Sequence, residues 1–136
     1  MSLFAESARA RIVAVMAWMT VRLELARTPD FPAGSAERGY QLHVPLKADG
    51  SIDESAFNLA RGRATAFRFW PEERDLQGYV IRTARGWAIS YKLGEDDDEG
   101  IFHLDSHPLK AGSYLTITSA SGDQRPFRVA SVEPLR

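Results

Sequence analysis

Gln77-Gly78-Tyr79-Val80-Ile81-Arg82, then Thr83-Ala84-Arg85-Gly86, then Trp87-Ala88-Ile89-Ser90-Tyr91-Lys92-Leu93: this stretch decides the fold. Trp87, Ile89, Tyr91 and Leu93 alternate with Ala88, Ser90 and Lys92, the period-2 pattern of a half-buried strand. Gly86 falls where a short loop most often needs positive φ, which glycine adopts without a Cβ clash. The segment therefore predicts a β-hairpin.

A second hairpin follows downstream. Ser113-Tyr114-Leu115-Thr116-Ile117-Thr118 leads through Ser119-Ala120-Ser121-Gly122-Asp123 into Pro126-Phe127-Arg128-Val129-Ala130-Ser131-Val132. Leu115 and Ile117 share one face, Phe127 and Val129 share another, and Ser, Gly and Asp supply the turn chemistry. Ile101 to Asp105 reads as a further short strand between the two hairpins.

Upstream the same period recurs. Val21, Leu23 and Leu25 alternate with Arg22 and Glu24, and Tyr40, Leu42, Val44 and Leu46 alternate with Gln41 and His43 within a strand from Gly39 to Leu46. Pro45 lacks an amide donor, which predicts a sheet edge or a bend there. Thr28 to Ser35 is a loop by composition. Arg63 to Trp70 forms another strand, with Thr65, Phe67 and Phe69 on one face and Ala64, Ala66, Arg68 and Trp70 on the other. The bland reading makes the aromatic residues core and the arginines the wet face.

Ala48-Asp49-Gly50-Ser51-Ile52-Asp53 has the look of half a calcium-binding loop, but the early ligand positions are Pro45 and Lys47 and the closing carboxylate is Ala56. A turn followed by a capping box, Ser51 with Glu54, fits better. It starts a short helix over 52–60 that carries Ile52, Ala56, Phe57, Leu59 and Ala60 inward.

Residues 1–18 differ from the rest. Phe4, Ala8, Ile12, Val15 and Met16 recur at helical spacing, which predicts an amphipathic helical extension ahead of a single β-rich domain over 19–136. The apolar run from Ile12 to Met19 is too short to span a membrane and lacks a cleavage motif for export. Ile12, Val13, Val15, Met16 and Trp18 are apolar enough to need cover, on the domain itself or in a homo-oligomer.

The fold class expected is mainly β: a small antiparallel barrel or strongly bent sheet of about seven or eight strands, with these two helices. At 136 residues and 44% apolar composition it is one soluble domain with a real core. With no cysteine, disulfides and thiolate chemistry are excluded, and the cytoplasm is the compartment that suits the composition. A net charge of −1 gives no electrostatic footprint for nucleic acid. No Gly-x-Ser-x-Gly elbow and no phosphate-cradling glycine loop is present.

Three places have residues suited to chemistry. Phe102-His103-Leu104-Asp105-Ser106-His107 puts His103, Asp105 and His107 on one face of an extended chain, and with His43 they suit a divalent transition metal. The plainer reading is a turn, with Asp105 bonding its own backbone before Pro108. The run Glu95 to Glu99 offers hard oxygen donors for calcium, though five unspaced like charges repel and stay solvated. Arg63, Arg68, Trp70 and Arg82, with Phe67, Phe69 and Trp87, form a candidate aromatic and basic strip for stacking single-stranded bases. The leading expectation is a non-enzymatic binding or accessory module acting through a protein partner or small ligand, without a cofactor. The alternatives are a metal-dependent barrel enzyme using His103, Asp105 and His107, and single-strand nucleic-acid binding.

Overall fold

The alternation along the chain resolves into a closed barrel. The computed structural model describes residues 18–91, 100–104 and 107–135, and for 100–102 the strand alone. Eight antiparallel strands run in sequence order: β1 (Trp18–Leu25), β2 (Ser35–Pro45), β3 (Thr65–Phe69), β4 (Leu76–Thr83), β5 (Gly86–Tyr91), β6 (Gly100–Leu104), β7 (Tyr114–Thr118) and β8 (Gln124–Pro134). Pairing of β1 with β8, from Met19 opposite Pro134 to Leu25 opposite Phe127, closes the ring and leaves no free edge. Pro45 therefore marks a bend, where the chain turns off into the Leu46–Ile52 bridge.

Both predicted hairpins form. Thr83 pairs with Gly86 around a two-residue turn, and Gly86 has φ +120°. Thr83 Oγ1 donates to the Gly86 carbonyl at 3.0 Å and accepts from Arg85 N at 3.1 Å. At the second turn Asp123 N donates to Ser119 Oγ at 3.1 Å, and Ser119 N to the Asp123 carbonyl at 2.8 Å.

The barrel is filled by side chains. Val21, Leu23, Leu42, Val44, Ile89, Phe127 and Val129 form its core around the rings of Tyr40 and Tyr91. The Tyr91 ring needs room, and β4 supplies it with Gly78, the cross-strand partner of Tyr91, while the buried Ala64 and Ala66 keep the neighbouring wall thin. A Cβ at Gly78 would stand 2.1 Å from the Ser90 carbonyl oxygen and 3.0 Å from the Tyr91 ring. Small and large residues thus alternate across the interior, as a narrow barrel requires.

This packing corrects the expected facing of β3. Arg68 and Trp70 point inward with Ala64 and Ala66, and Phe67 and Phe69 lie on the outer face, ring centroids 6.4 Å apart. Arg68 is 4% exposed. Its guanidinium stands 4.3 Å from the Trp70 ring centre and pairs with Glu73 at 3.3 Å. Burial raises the pKa of Tyr40 above its ordinary value, with Arg68 opposing in part, and raises that of Tyr91 as well. A phenol with a raised folded-state pKa holds its proton more tightly in the folded chain than in the unfolded one. That stability is complete below the unfolded value of 10.0 and is lost as pH climbs past it. The melting temperature is therefore expected to fall steeply above about pH 10, and Tyr40→Phe to blunt the fall; a pH series of thermal melts reads both.

Helix α1 (Glu54–Leu59) covers one end of the barrel. Its N-cap is Asp53, whose carboxylate accepts from Ala56 N at 3.1 Å, and not Ser51 as the sequence suggests. Ser51 is already engaged, because Asp49 accepts from its amide and its hydroxyl. Glu54 reaches to Arg82 instead of back to the cap. Phe57 is buried on the barrel, whereas Leu59 is 88% exposed. Two residues along a helix is a rotation of about 200°, so Phe57 and Leu59 cannot share the inward face.

β2 begins at Ser35, earlier than the polar Ser-Ala-Glu-Arg run implies, with a register shift opposite Glu24 and Leu25. Trp18 belongs to β1 and not to a helix. The amphipathic segment ahead of it, residues 1–17, and the acidic run Glu95 to Glu99 lie outside the described residues. Among the described residues no helix is long and apolar enough to cross a membrane.

Candidate functional site: a pocket at the capped end

The β4–β5 hairpin, the loop from 107 to 113 and the 46–52 turn meet at the end where α1 sits. Leu109 N donates to the Gly50 carbonyl at 2.8 Å, which ties the 107–113 loop to the 46–52 turn, and Lys47 N donates to the Ser51 carbonyl at 2.8 Å, which closes that turn on itself. Between them opens a pocket of about 220 Å³. Its floor is Ile52, Trp87, Leu104, Leu109 and Leu115, and its rim is Ser51, Arg82, His107 and Pro108.

Each rim group is positioned by a feature of the local chain. Arg82 and Trp87 are cross-strand partners, one step from the turn, so the guanidinium stands over the indole with its Cζ 5.3 Å from the ring centre. Such an arrangement is worth about 0.5–1 kcal/mol where water reaches it. The same indole meets Phe57 edge to face, centroids 4.8 Å apart at 83°. Arg82 Nε donates to Glu54 Oε1 over a long 3.4 Å, and the Arg82 side chain remains 41% exposed. The Ser51 hydroxyl donates to Asp49 at 2.6 Å. No hydroxyl–imidazole hydrogen bond joins Ser51 to His107 among the described residues; the Ser51 hydroxyl is turned to Asp49 instead.

Of the candidate metal ligands, His43 stands apart from His103. His103 lies on β6 facing away from buried Leu104, His107 stands at the pocket rim, and Asp105 falls outside the described residues. His43 is on β2, its Nδ1 3.0 Å from Thr65 Oγ1, in an outer groove with Phe67 and Tyr79. β2 and β6 are four places apart in an eight-strand ring, so His43 and His103 face away from each other across the core. Among the described residues no three His, Asp or Glu side chains gather closely enough to hold a metal ion.

The candidate stacking strip is divided too. Arg63 lies over Trp18, 4.7 Å from the ring centre. Arg68 and Trp70 are buried toward the far end of the barrel, where Arg125 approaches Trp70 to 5.2 Å. Arg82 is at the capped end. Of the residues singled out in the sequence, the structure brings together Arg82, His107 and Trp87. Ile52, Leu109 and Leu115 were missed as lining, since nothing near them in sequence marks a pocket.

Comparison with known proteins finds no matching family model, no matching curated protein and no matching solved structure.

Proposed function

We propose that this chain is a non-enzymatic binding module that holds a small molecule in the Arg82–Trp87–His107 pocket, and that it works in the cytoplasm, where a domain without cysteine has nothing to lose to reduction. One observation carries the reading: in a barrel whose interior is filled, an apolar concavity opens at one end with a few polar groups converging on its rim. That combination of apolar walls and sparse, placed polar groups is the usual build of a ligand site. The pocket is small, with room for on the order of seven water-sized groups at about 30 Å³ each. A ligand of that size binds with a Kd of about 1 mM, roughly −4 kcal/mol.

Saturation-transfer NMR with a fragment library tests this. Fragments that bind the wild-type chain should lose their signal with His107→Trp, in which an indole on an exposed rim position fills the opening. A library without hits, or hits indifferent to His107→Trp, would defeat the reading. The metal-dependent alternative is tested on the same preparations by metal analysis with and without His103→Ala; stoichiometric metal that disappears in the variant would favour it.

A further inference from the structure

Resting on the pocket reading above, we infer that the ligand is a small monoanion, a carboxylate with a short unbranched apolar tail, bound with its head on Arg82 and its tail along Trp87 toward Leu104 and Leu115. The distribution of polar commitments around the rim points to this class. Asp49 is occupied by the amide and hydroxyl of Ser51, at 2.9 and 2.6 Å. Those hydrogen bonds hold the Asp49 carboxyl below the usual carboxylate range, so it stays ionised and turned to Ser51. Arg82 is only partly engaged. Its Nε makes the long 3.4 Å contact to Glu54, and its terminal nitrogens have no hydrogen-bond partner among the described residues. One of them, Nη1, lies beside the turn, 3.7 Å from the point where a Cβ on Gly86 would stand, and the side chain as a whole is 41% exposed.

A planar fork with free N–H groups at the mouth of an apolar pocket matches the two oxygens of a carboxylate. Lys110 packs its stem beside Gly50, 2.8 Å from the position a Gly50 Cβ would take, and its charge acts on Asp49, which leaves Arg82 as the cation at the pocket rim. Glu54 limits the charge that can be accepted. With its carboxylate 3.4 Å from Arg82 Nε, a dianion would meet about twice the repulsion that a monoanion does. The floor sets the other half of the ligand. Leu104, Leu109 and Leu115 are buried and apolar, and the volume of about 220 Å³ admits a chain of on the order of six carbons.

Titration of the full chain with hexanoate, 1-hexanol, hexylammonium and hexyl phosphate, followed by the Trp87 indole NH in a proton–nitrogen correlation spectrum, tests the inference. Hexanoate should bind at least about tenfold more tightly than hexanol, about 1.4 kcal/mol, and more tightly than hexylammonium or hexyl phosphate. In Arg82→Gln, a substitution at a half-exposed position, the acid-to-alcohol ratio should fall to about one. Equal affinity for acid and alcohol would overturn the ligand class and leave the pocket standing, and tighter binding of hexyl phosphate would overturn the single charge. A preference that survives Arg82→Gln would remove Arg82 from the site. If none of the four moves the Trp87 signal, the pocket reading falls with the inference.

Discussion

Phe57→Ala is expected to lower the unfolding free energy by about 3–5 kcal/mol, the range for emptying a buried phenyl site. Helix α1 has six residues, too few to persist through its own hydrogen bonds. Phe57 is its one buried side chain and its edge-to-face contact on Trp87 joins the helix to the barrel. Truncating it removes the transfer energy of the ring, leaves a cavity beneath the helix and frees the Trp87 indole that forms the pocket floor. Urea denaturation should show a lower midpoint, and small-molecule binding at the pocket should weaken in parallel. A loss below about 1 kcal/mol would mean that the helix is held by something other than this ring.

Arg68→Ala is expected to cost about 3 kcal/mol or more, while Arg68→Met costs less than about 1.5 kcal/mol. Arg68 lies inside the barrel beside Trp70 and Tyr40. Alanine removes the stem that fills this region and leaves a void between two large rings. Methionine restores most of that volume without a charge that has to be kept out of water. Glu73 is more than half exposed, so when its partner is gone it is rehydrated at little cost. The Arg68 Nε is itself buried with no hydrogen-bond partner, which adds a desolvation penalty that methionine relieves. Equal losses for both variants would show that the charge, and not the packing of the stem, is what the barrel needs from Arg68.

The hairpins were legible in the sequence because both their turn and their facing are written locally. Gly86 and Gly122 sit at positive φ where the turns need it, and the strands beside them have one plainly apolar face. β3 is different. Ala64-Thr65-Ala66-Phe67-Arg68-Phe69-Trp70 alternates well, but each face carries apolar residues, so period alone separates the faces without saying which is inside. The answer comes from the register of the closed ring, which sets Ala66 opposite the buried Leu42 and Arg68 opposite the buried Tyr40, so that Ala64, Ala66, Arg68 and Trp70 take the inner face. Residue-type hydrophobicity favours the opposite choice.

The pocket was legible only in fragments for a related reason. Arg82 and His107 were named, but for stacking and for metal binding respectively, because each was read with its sequence neighbours. What joins them is the closure of the barrel and the docking of the 107–113 loop on Gly50, a contact between residues far apart in the chain. The helix cap shows the same limit over a shorter distance. Ser51 has the chemistry of an N-cap, but the Asp49 carboxylate claims its hydroxyl and amide, and the role passes to Asp53.

The central claim is that a filled barrel leaves its binding function to the Trp87 end. Fluorine NMR of the chain labelled with 5-fluorotryptophan addresses it directly, since the three tryptophans, Trp18, Trp70 and Trp87, report on three separate places. Addition of a fragment that binds should move the Trp87 resonance and leave Trp18 and Trp70 where they are. Movement of Trp70 or Trp18 with Trp87 unchanged would put the site elsewhere on the barrel and contradict the claim.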